Sequence, residues 1–339
     1  MNNELVFEEI VSAFPENSVK IKDSLIINGD SLYELSKIPD NSISLILTDP
    51  PYHSTQKKNI HGDTAFKIDQ DYIEWMRLFA KEWKRILKHN GCVYCFCSSA
   101  MESQLAVMFS SEFNILSQIV WTKPNAPGYD GWKQKMKKES LRQWYAHSER
   151  IIFMEPNFEG NLFQSYFGVK LKEWRTVTKL SGHKLTEMVG AFGKVNHGGA
   201  VSNWEAGRNI PNREQYEKIK EALLSTGEIN DLPDFEDVIR PFNVTKEVEF
   251  TDVWTFENVR QYKGKHPAEK PLDLLIHAIV SSTYDGDIVL DCFSGSGATA
   301  VAARKCGRKS VSIEIEKKWF DYAKNRIEDL DYEQMTILE

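Results

Sequence analysis

No apolar run in this chain approaches the roughly 18 residues that a membrane-crossing helix needs, and Met1-Asn2-Asn3-Glu4 does not lead from a basic stretch into an apolar one. Neither a membrane partner nor a secretory signal is expected, and a cytoplasmic location follows. Cysteine is scarce, with five in 339 residues. Cys92, Cys95 and Cys97 lie inside one Val/Tyr/Phe-rich stretch, and the other two stand beside glycine-containing turns. With no second Cys/His cluster at ligand spacing, small buried side chains are expected rather than a metal clip, and no metal site is expected. Positive charge is not in excess either: the net charge of −7 excludes a surface coated in lysine and arginine for indiscriminate nucleic-acid binding. A local patch survives that exclusion. Lys123, Lys133, Lys135, Lys137, Lys138 and Arg142 lie close together, interleaved with Tyr129, Trp132 and Trp144. They form either a phosphate-contacting stretch or a solvated loop.

What the chain has is 41% hydrophobic residues, enough for a sizeable core in one large domain or two smaller ones. Strands are expected at 24–28, 43–47, 92–97, 115–121, 150–154, 251–256, 287–290 and 310–313. Between them, helices are expected at 31–38, 71–89, 101–113, 272–283, 298–306 and 319–329, with Ser31 as an N-cap and Asn90-Gly91 as a stop. A polar loop is expected from His53 to Asp69. Alternation of this kind predicts an α/β fold with a mostly parallel, doubly wound sheet. From Pro156 to about Phe250 the pattern breaks into charged, helix-forming sequence that reads as an inserted helical module.

Near the end of the chain, Asp291-Cys292-Phe293-Ser294-Gly295-Ser296-Gly297 follows one strand, and Glu314 ends the next. Strand, glycine turn, helix, strand and acid form a nucleotide-type site, in which glycine admits close backbone approach and the acid accepts from ribose hydroxyls. A dinucleotide needs its pyrophosphate at the helix N-terminus, and the third glycine of that pattern is replaced by Thr299 or Ala300. An acid at the head of the loop repels phosphate and suits an ammonium group, so S-adenosylmethionine fits these residues better.

Near the start, Asp49-Pro50-Pro51-Tyr52 closes an apolar run. Taken with Asp291 to Gly297, it resembles the amino-methyltransferases of DNA. The order, tetrapeptide first, inserted region next and cofactor turn last, is similar to their circularly permuted β class, with a Rossmann-like methyltransferase fold. The likeness extends over about 24–154 and 251–329. It includes His266-Pro267-Ala268-Glu269-Lys270-Pro271, similar to the family's His-Pro-x-x-Lys-Pro segment, and Asn28-Gly29-Asp30, similar to its Gly-Asp. Cys292 departs from the family's usual proline. The resemblance implies a division into a catalytic part at 1–155, a helical target-recognition region at 156–250 and a cofactor-binding part at 251–339. It places His266 among the cofactor contacts, Asp30 at the adenine ring and Lys270 at the methionine end.

The tetrapeptide has its own chemical logic. An exocyclic base amine is a poor nucleophile because its lone pair is delocalised into the ring. If Asp49 and the Pro50 carbonyl accept its two hydrogens, the nitrogen is drawn toward tetrahedral geometry and its lone pair is aimed at the sulfonium methyl. Pro50 and Pro51 stiffen that acceptor, and Tyr52 stacks on a base flipped out of the duplex. The expected activity is methylation of adenine N6 in double-stranded DNA, since by resemblance the aspartate at the head of the tetrapeptide favours adenine. Cytosine N4 is the alternative, and a DNA-binding regulator with a degenerate cofactor fold is the alternative from another class. Partners left open by the resemblance are a companion restriction endonuclease and a second copy of the chain.

Inside the helical module, Leu185 to Gly190, then Val201-Ser202-Asn203-Trp204-Glu205 with Gly207-Arg208-Asn209-Ile210-Pro211, then a helix from Glu214 to Leu224, resemble the helix-turn-helix of phage-repressor-like regulators. That likeness makes Asn203 and Arg208 candidate DNA contacts in the major groove. His197-Gly198-Gly199 departs from the pattern at the start of the second helix. The alternative is a helical packing unit in which Trp204 is core.

Overall fold

A computed structural model describes residues 2–53, 62, 64–124, 137–140, 142, 144, 147–158, 164–192, 199–243, 250–260, 262 onward to 336, with side chains to residue 330. Lys133 and Lys135, and most of the loop expected after His53, lie outside the described residues.

A nine-stranded sheet carries the molecule. Its strands in chain order are β1 (Ser18–Ile21), β2 (Ser24–Asn28), β3 (Ile43–Thr48), β4 (Leu87–Cys97), β5 (Phe113–Thr122), β6 (Ser148–Pro156), β7 (Val253–Thr255), β8 (Ile288–Asp291) and β9 (Lys309–Glu314). Across the sheet they run β1-β2-β9-β8-β3-β4-β6-β5-β7. β1 is antiparallel to β2, and β6 is antiparallel to both its neighbours. All other pairs are parallel, and β3, buried at every position, shows why its sequence is apolar throughout.

Helices cover both faces. On one lie α1 (Asn3–Ser12), α2 (Ser31–Leu35), α3 (Asp69–Ile86) and α4 (Glu102–Phe109), which share a core with Ile43, Ile46, Val93 and Leu290. On the other, α10 (Leu272–Ser282) and α11 (Ala298–Lys305) pack on Leu45, Leu47, Tyr94 and Val289, and α12 (Lys317–Thr336) packs on Ile26 through Phe320 and Ile327. Three boundaries differ from the sequence reading. Asp30, not Ser31, caps α2, its carboxylate accepting from the Tyr33 amide at 3.2 Å. α3 ends at Ile86 rather than His89, because Leu87 already pairs with Ile43; the ladder then shifts register before Leu45 meets Cys92. α1 and β1 carry too few periodic apolar residues to have been read. The strand cysteines face opposite ways, Cys92 into one core and Cys95 and Cys97 into the other.

The helical module comprises α5 (Tyr166–Val177), α6 (Gly182–Val189), α7 (Ala200–Glu205), α8 (Arg213–Leu224) and α9 (Phe235–Val238). It has a core of its own in which Phe167, Leu185, Trp204, Tyr216 and Leu223 meet. Ser165 and Ser181 cap α5 and α6, and a capping box of Asn212 and Gln215 starts α8. Its attachment to the sheet is one-sided. Asn90 Nδ2 donates to the Glu236 carbonyl (2.8 Å), Arg240 pairs with Glu155 (3.0 Å), Tyr284 donates to the Ile239 carbonyl (2.9 Å), and the His89 and Tyr166 rings lie 5.0 Å apart. Each of these sheet residues stands at the beginning of β4, just before β8, or at the end of antiparallel β6. The module therefore sits at the edge where the parallel strands begin.

Separate cores predict separate unfolding. Trp204→Ala should remove about 3–5 kcal/mol from the module. Hydrogen exchange should accelerate at amides of α5 to α8 while β3, β8 and β9 stay protected; equal loss of protection in the sheet would show one cooperative unit instead.

Candidate active site

At the opposite edge, the C-terminal ends of β2, β9, β8 and β3 surround a cavity of about 510 Å³. β8 leads by way of α11 to β9 on one side, whereas β3 leads by way of α3 to β4 on the other. The crevice between β3 and β8 is thus a topological switch point, where open α/β sheets bind ligands. Asp49, Pro50, Pro51 and Tyr52 line it, together with Asp30, His266, Lys270, Asp291, Phe293, Ser294, Gly295 and Glu314. Both motifs therefore face one space. Gly297 does not line it but starts α11.

A bond between the two strand ends fixes their register. Asp291 Oδ1 accepts from Thr48 Oγ1 at 2.9 Å and from the Phe293 amide at 3.1 Å, while Oδ2 accepts from Thr299 Oγ1 at 2.7 Å. Burial pushes this carboxyl up to about 6, against the pull of those donors. Asp291 thereby shapes the cofactor turn and ties it to the residue before Asp49. Cys292 belongs to the same knot: its amide donates to Thr48 Oγ1 at 3.2 Å, a bond that proline could not make. Its sulfur accepts from Trp83 Nε1 at 3.3 Å.

Two glycines are dictated by geometry. Gly295 has φ +48 and lies under His266, whose Cε1 would stand 2.9 Å from an added Cβ. Gly297 has φ +71, and an added Cβ would strike that of Ala323 at 2.8 Å. His266 is held against Trp319 edge-on, centroids 4.5 Å apart, and burial, followed by the charge of Lys270, brings it down to about 4. It therefore packs as a neutral ring. Glu314 accepts from the Gly295 amide and from the Glu316 amide, both at 2.8 Å, one on each oxygen. Burial raises it to about 7 in spite of those donors. One lone pair per oxygen is left for a ligand hydroxyl.

The half of the pocket around the tetrapeptide holds a buried charge cluster. Lys270 Nζ donates to Asp49 Oδ2 and lies 3.5 Å from Glu149 Oε2; its side chain is only 9% exposed. Tyr52 donates its hydroxyl to Glu149 Oε2 at 3.0 Å, and Lys123 pairs with Glu149 Oε1 at 2.6 Å. Burial raises the Asp49 carboxyl, although Lys270 opposes the shift. Burial also pushes Glu149 up, but Lys270 and Lys123 more than offset it and hold the acid down to about 2. Lys270 stays a cation because Asp49 and Glu149 together outweigh its desolvation.

Among the described residues, Asp49 Oδ1 and Ser294 Oγ are buried polar atoms of the pocket-lining side chains with no hydrogen bond of good geometry. A buried acceptor left open costs free energy unless a ligand fills it. Phe66, Trp75, Phe79 and Phe293 form an aromatic wall, with Phe293 5.7 Å from Trp75 and 5.1 Å from Phe79. Sequence reasoning took Phe79 only as an apolar position of the helix expected at 71–89, and it missed Trp75, Glu149 and Thr48 altogether. Glu149 is one polar residue at the start of a strand, and only the fold brings it to Tyr52.

Of the remaining candidates, Lys133 and Lys135 lie outside the described residues. Lys137 is exposed, as are Arg142 and a 96% exposed Trp144, and none of these three lines the pocket. Asn203 and Arg208 hydrogen-bond to one another at 3.2 Å on α7 and the turn after it, on the module attached to the opposite edge. Trp204 is module core.

Comparison with known proteins agrees with this geometry. The type II methyltransferase M.HinfI of Haemophilus influenzae is 26% identical over 320 residues, covering 90% of this chain and 68% of its own length. The DNA adenine methyltransferase YhdJ of Escherichia coli (strain K12) is 28% identical over 307 residues, covering 89% of this chain and 82% of itself. The solved PvuII DNA methyltransferase, cytosine-N4-specific, shares the fold with a TM-score of 0.54 at 17% identity, over 93% of this chain and 94% of its own. The family described as DNA methylase, comprising N6 and N4 methyltransferases, matches residues 43–325, a span that takes in the tetrapeptide, the His266 to Pro271 segment and the glycine turn. The chain belongs to that family.

Proposed function

We propose that this chain transfers a methyl group from S-adenosylmethionine to the N6 amine of adenine in duplex DNA, on a base flipped into the pocket. The observation that carries the reading is the position of Asp49, whose buried Oδ1 has no hydrogen bond among the described residues, in the same cavity as the Phe293 to Gly295 turn. The residues fit the cofactor. Aromatic rings suit its adenine, Glu314 suits ribose hydroxyls, and the carboxylates of Asp30, Glu314 and Glu316 around one end disfavour a pyrophosphate. When bound, it supplies an electrophilic methyl on a sulfonium cation.

The chain's own residues do the rest. Asp49 Oδ1 and the Pro50 carbonyl would accept the two amine hydrogens and so turn the nitrogen lone pair toward the methyl that the bound cofactor would supply. Tyr52, anchored by its hydroxyl on Glu149, presents a ring face for the base. Asp49 takes up the proton that the methylated amine sheds, and its buried, raised carboxyl suits that role. Adenine is favoured over cytosine by the aspartate at the head of the tetrapeptide and by the relative named as an adenine methyltransferase. We further propose the divisions 1–155, 156–250 and 251–339 as catalytic, target-recognition and cofactor parts, in the permuted order. We also propose that Lys133, Lys135 and Lys137 contact the backbone of the target duplex. A DNA substrate implies a cytoplasmic location, and a restriction endonuclease is the companion class we carry forward.

The seat of the helical module sets a condition on its role. From the module's attachment at Asn90 to Phe96 in the pocket wall, β4 rises about 20 Å at strand rise. Any DNA read by Asn203 and Arg208 is therefore a stretch removed from the flipped base. Asn203→Ala with Arg208→Ala should weaken DNA retention while leaving single-turnover methyl transfer at saturating DNA within about 2-fold. A fall in that rate as large as the fall in binding would put the module at the target base.

Asp49→Ala should lower methyl transfer about 10²- to 10³-fold while the dissociation constant of the cofactor changes little, because the lost carboxylate holds the amine and Lys270 rather than the cofactor. Tritiated-methyl transfer and calorimetric titration measure the two, and collapse of both would merge the catalytic and cofactor ends.

Cofactor binding should depend on pH through Glu314. A carboxyl at about 7 in the free protein must lose its proton to accept ribose hydroxyls, so affinity falls as pH drops below 7 and levels above it. Linkage gives about a 10-fold weaker dissociation constant at pH 6 than at pH 8. Titration at both pH values checks this, and Glu314→Gln should abolish the difference.

A further inference from the structure

Lys270 ends the strap that runs from β7 to α10, and the proline after it restricts its backbone: Pro271 begins α10 and disfavours helical conformations in the residue before it. The side chain is 9% exposed. Its ammonium has three hydrogens to donate, and three acceptors of the chain stand around it: Asp49 Oδ2, Glu149 Oε2 at 3.5 Å and the Ala268 carbonyl at 3.5 Å. The rings of Tyr52 and Phe96 flank it, with centroids 5.3 and 5.1 Å away. Resemblance puts this lysine at the methionine end of the cofactor. An ammonium whose three hydrogens are engaged within the chain has none to spare for a cofactor carboxylate.

Asp49 shows the complementary pattern. Lys270 holds Oδ2, whereas Oδ1 is buried with no hydrogen bond of good geometry among the described residues. The last torsion of an aspartate is broad and roughly two-fold, so a carboxylate with neither oxygen fixed would swing. Pinning one oxygen defines that torsion and leaves the other for an incoming N–H donor.

We propose that Lys270 is a positioning residue for methyl transfer: by holding Asp49 Oδ2 it presents Oδ1 to the target amine, and it does not hold the cofactor. The proposal rests on the amine-methylation reading and leaves every ion pair of the cluster in place when the base is bound. Two further features support it. Glu149, the second anchor of the ammonium, is itself fixed, because it accepts from the Tyr52 hydroxyl at 3.0 Å and pairs with Lys123 at 2.6 Å. Lys270 also stays a cation, since Asp49 and Glu149 outweigh its desolvation, and its charge opposes the burial that raises the Asp49 carboxyl. An ionised aspartate only accepts, so Oδ1 can receive an amine hydrogen without an O–H of its own in the way.

The test separates this role from a contact with the cofactor. Single-turnover transfer of tritiated methyl to unmethylated phage genomic DNA, at saturating cofactor, is measured for wild type, Lys270→Met, Asp49→Ala and the double variant, and calorimetry gives the cofactor dissociation constant of each. Methionine keeps an unbranched apolar stem but has neither donor nor charge. We expect Lys270→Met to slow transfer about 10-fold or more in the wild-type background, the order of effect of a misplaced reacting group, and by less than about 3-fold when residue 49 is alanine, because no carboxylate is then left to position. The cofactor dissociation constant of Lys270→Met should stay within about 3-fold of the wild type, since the two sites would then be uncoupled. A cofactor affinity about 10-fold weaker, with the rate at saturation unchanged, would put Lys270 on the cofactor and overturn the proposal. Equal slowing in both backgrounds would show that Lys270 acts elsewhere than through Asp49 and would overturn it as well, as would no loss in either. Thermal melting reports whether each variant is folded; should Lys270→Met not be, Lys270→Gln, polar but uncharged and one bond shorter, replaces it with the same outcomes. Each of these results presupposes an active wild type and bears on Lys270 alone, whereas absence of methyl transfer by the wild type on any DNA would refute the amine-methylation reading itself.

Discussion

The hydrogen bond from Thr48 to Asp291 joins residues 243 positions apart in the chain, and the site depends on it. Each residue ends a parallel strand, and the two strands are neighbours, so the bond sets how far the turn after β8 stands from the tetrapeptide after β3. An error of one residue in that register would turn Asp49 to the opposite face. The bond is buried, and its acceptor carries two further donors, so little else could satisfy Asp291. The Cys292 amide adds a second link to Thr48. Residue 292 thus contributes an amide that a proline would lack, and the chain gains a cross-strand bond from it.

Charge, more than shape, gives the pocket its selectivity. One end is acidic and offers acceptors to hydroxyls, while the other holds a cation between two acids. A phosphate-bearing dinucleotide would meet carboxylates where it needs amides, whereas a cationic, phosphate-free cofactor meets acceptors and aromatic faces. The same low-dielectric setting makes each unpaired group expensive, which explains why Asp49 has Lys270 as its counter-ion before any substrate arrives.

The sheet and both motifs were legible because their signals are local. Continuous apolar runs mark parallel strands, and Gly295 and Gly297 mark backbone that only glycine adopts, as their positive φ shows. The end of α3 was misplaced by three residues because an Asn-Gly stop signal lost to the pairing of Leu87 with Ile43, a tertiary bond with no local sign. Glu149 and Thr48 were invisible for the same reason. Glu149 matters because β6 runs antiparallel between β4 and β5 and brings its first residues to the pocket edge, a fact of topology that no window of sequence contains. Asp291 was legible as important, but its role was not: it reads as a ligand contact, and most of its hydrogen-bonding capacity holds the turn together.

Strand direction also explains why the helical module is distant from the chemistry. β6 is antiparallel, so the chain leaving it at Pro156 emerges where the parallel strands begin. Whatever is inserted there builds outward from that edge. To return to the pocket, the chain must run up β7 and through residues 256–271, and that ascent delivers His266 and Lys270 to the cavity. The antiparallel strand therefore divides the labour of the molecule. It carries Glu149 at its pocket end and releases the helical module at its other end, so that the module can change in size or partner without moving an atom of the catalytic cluster.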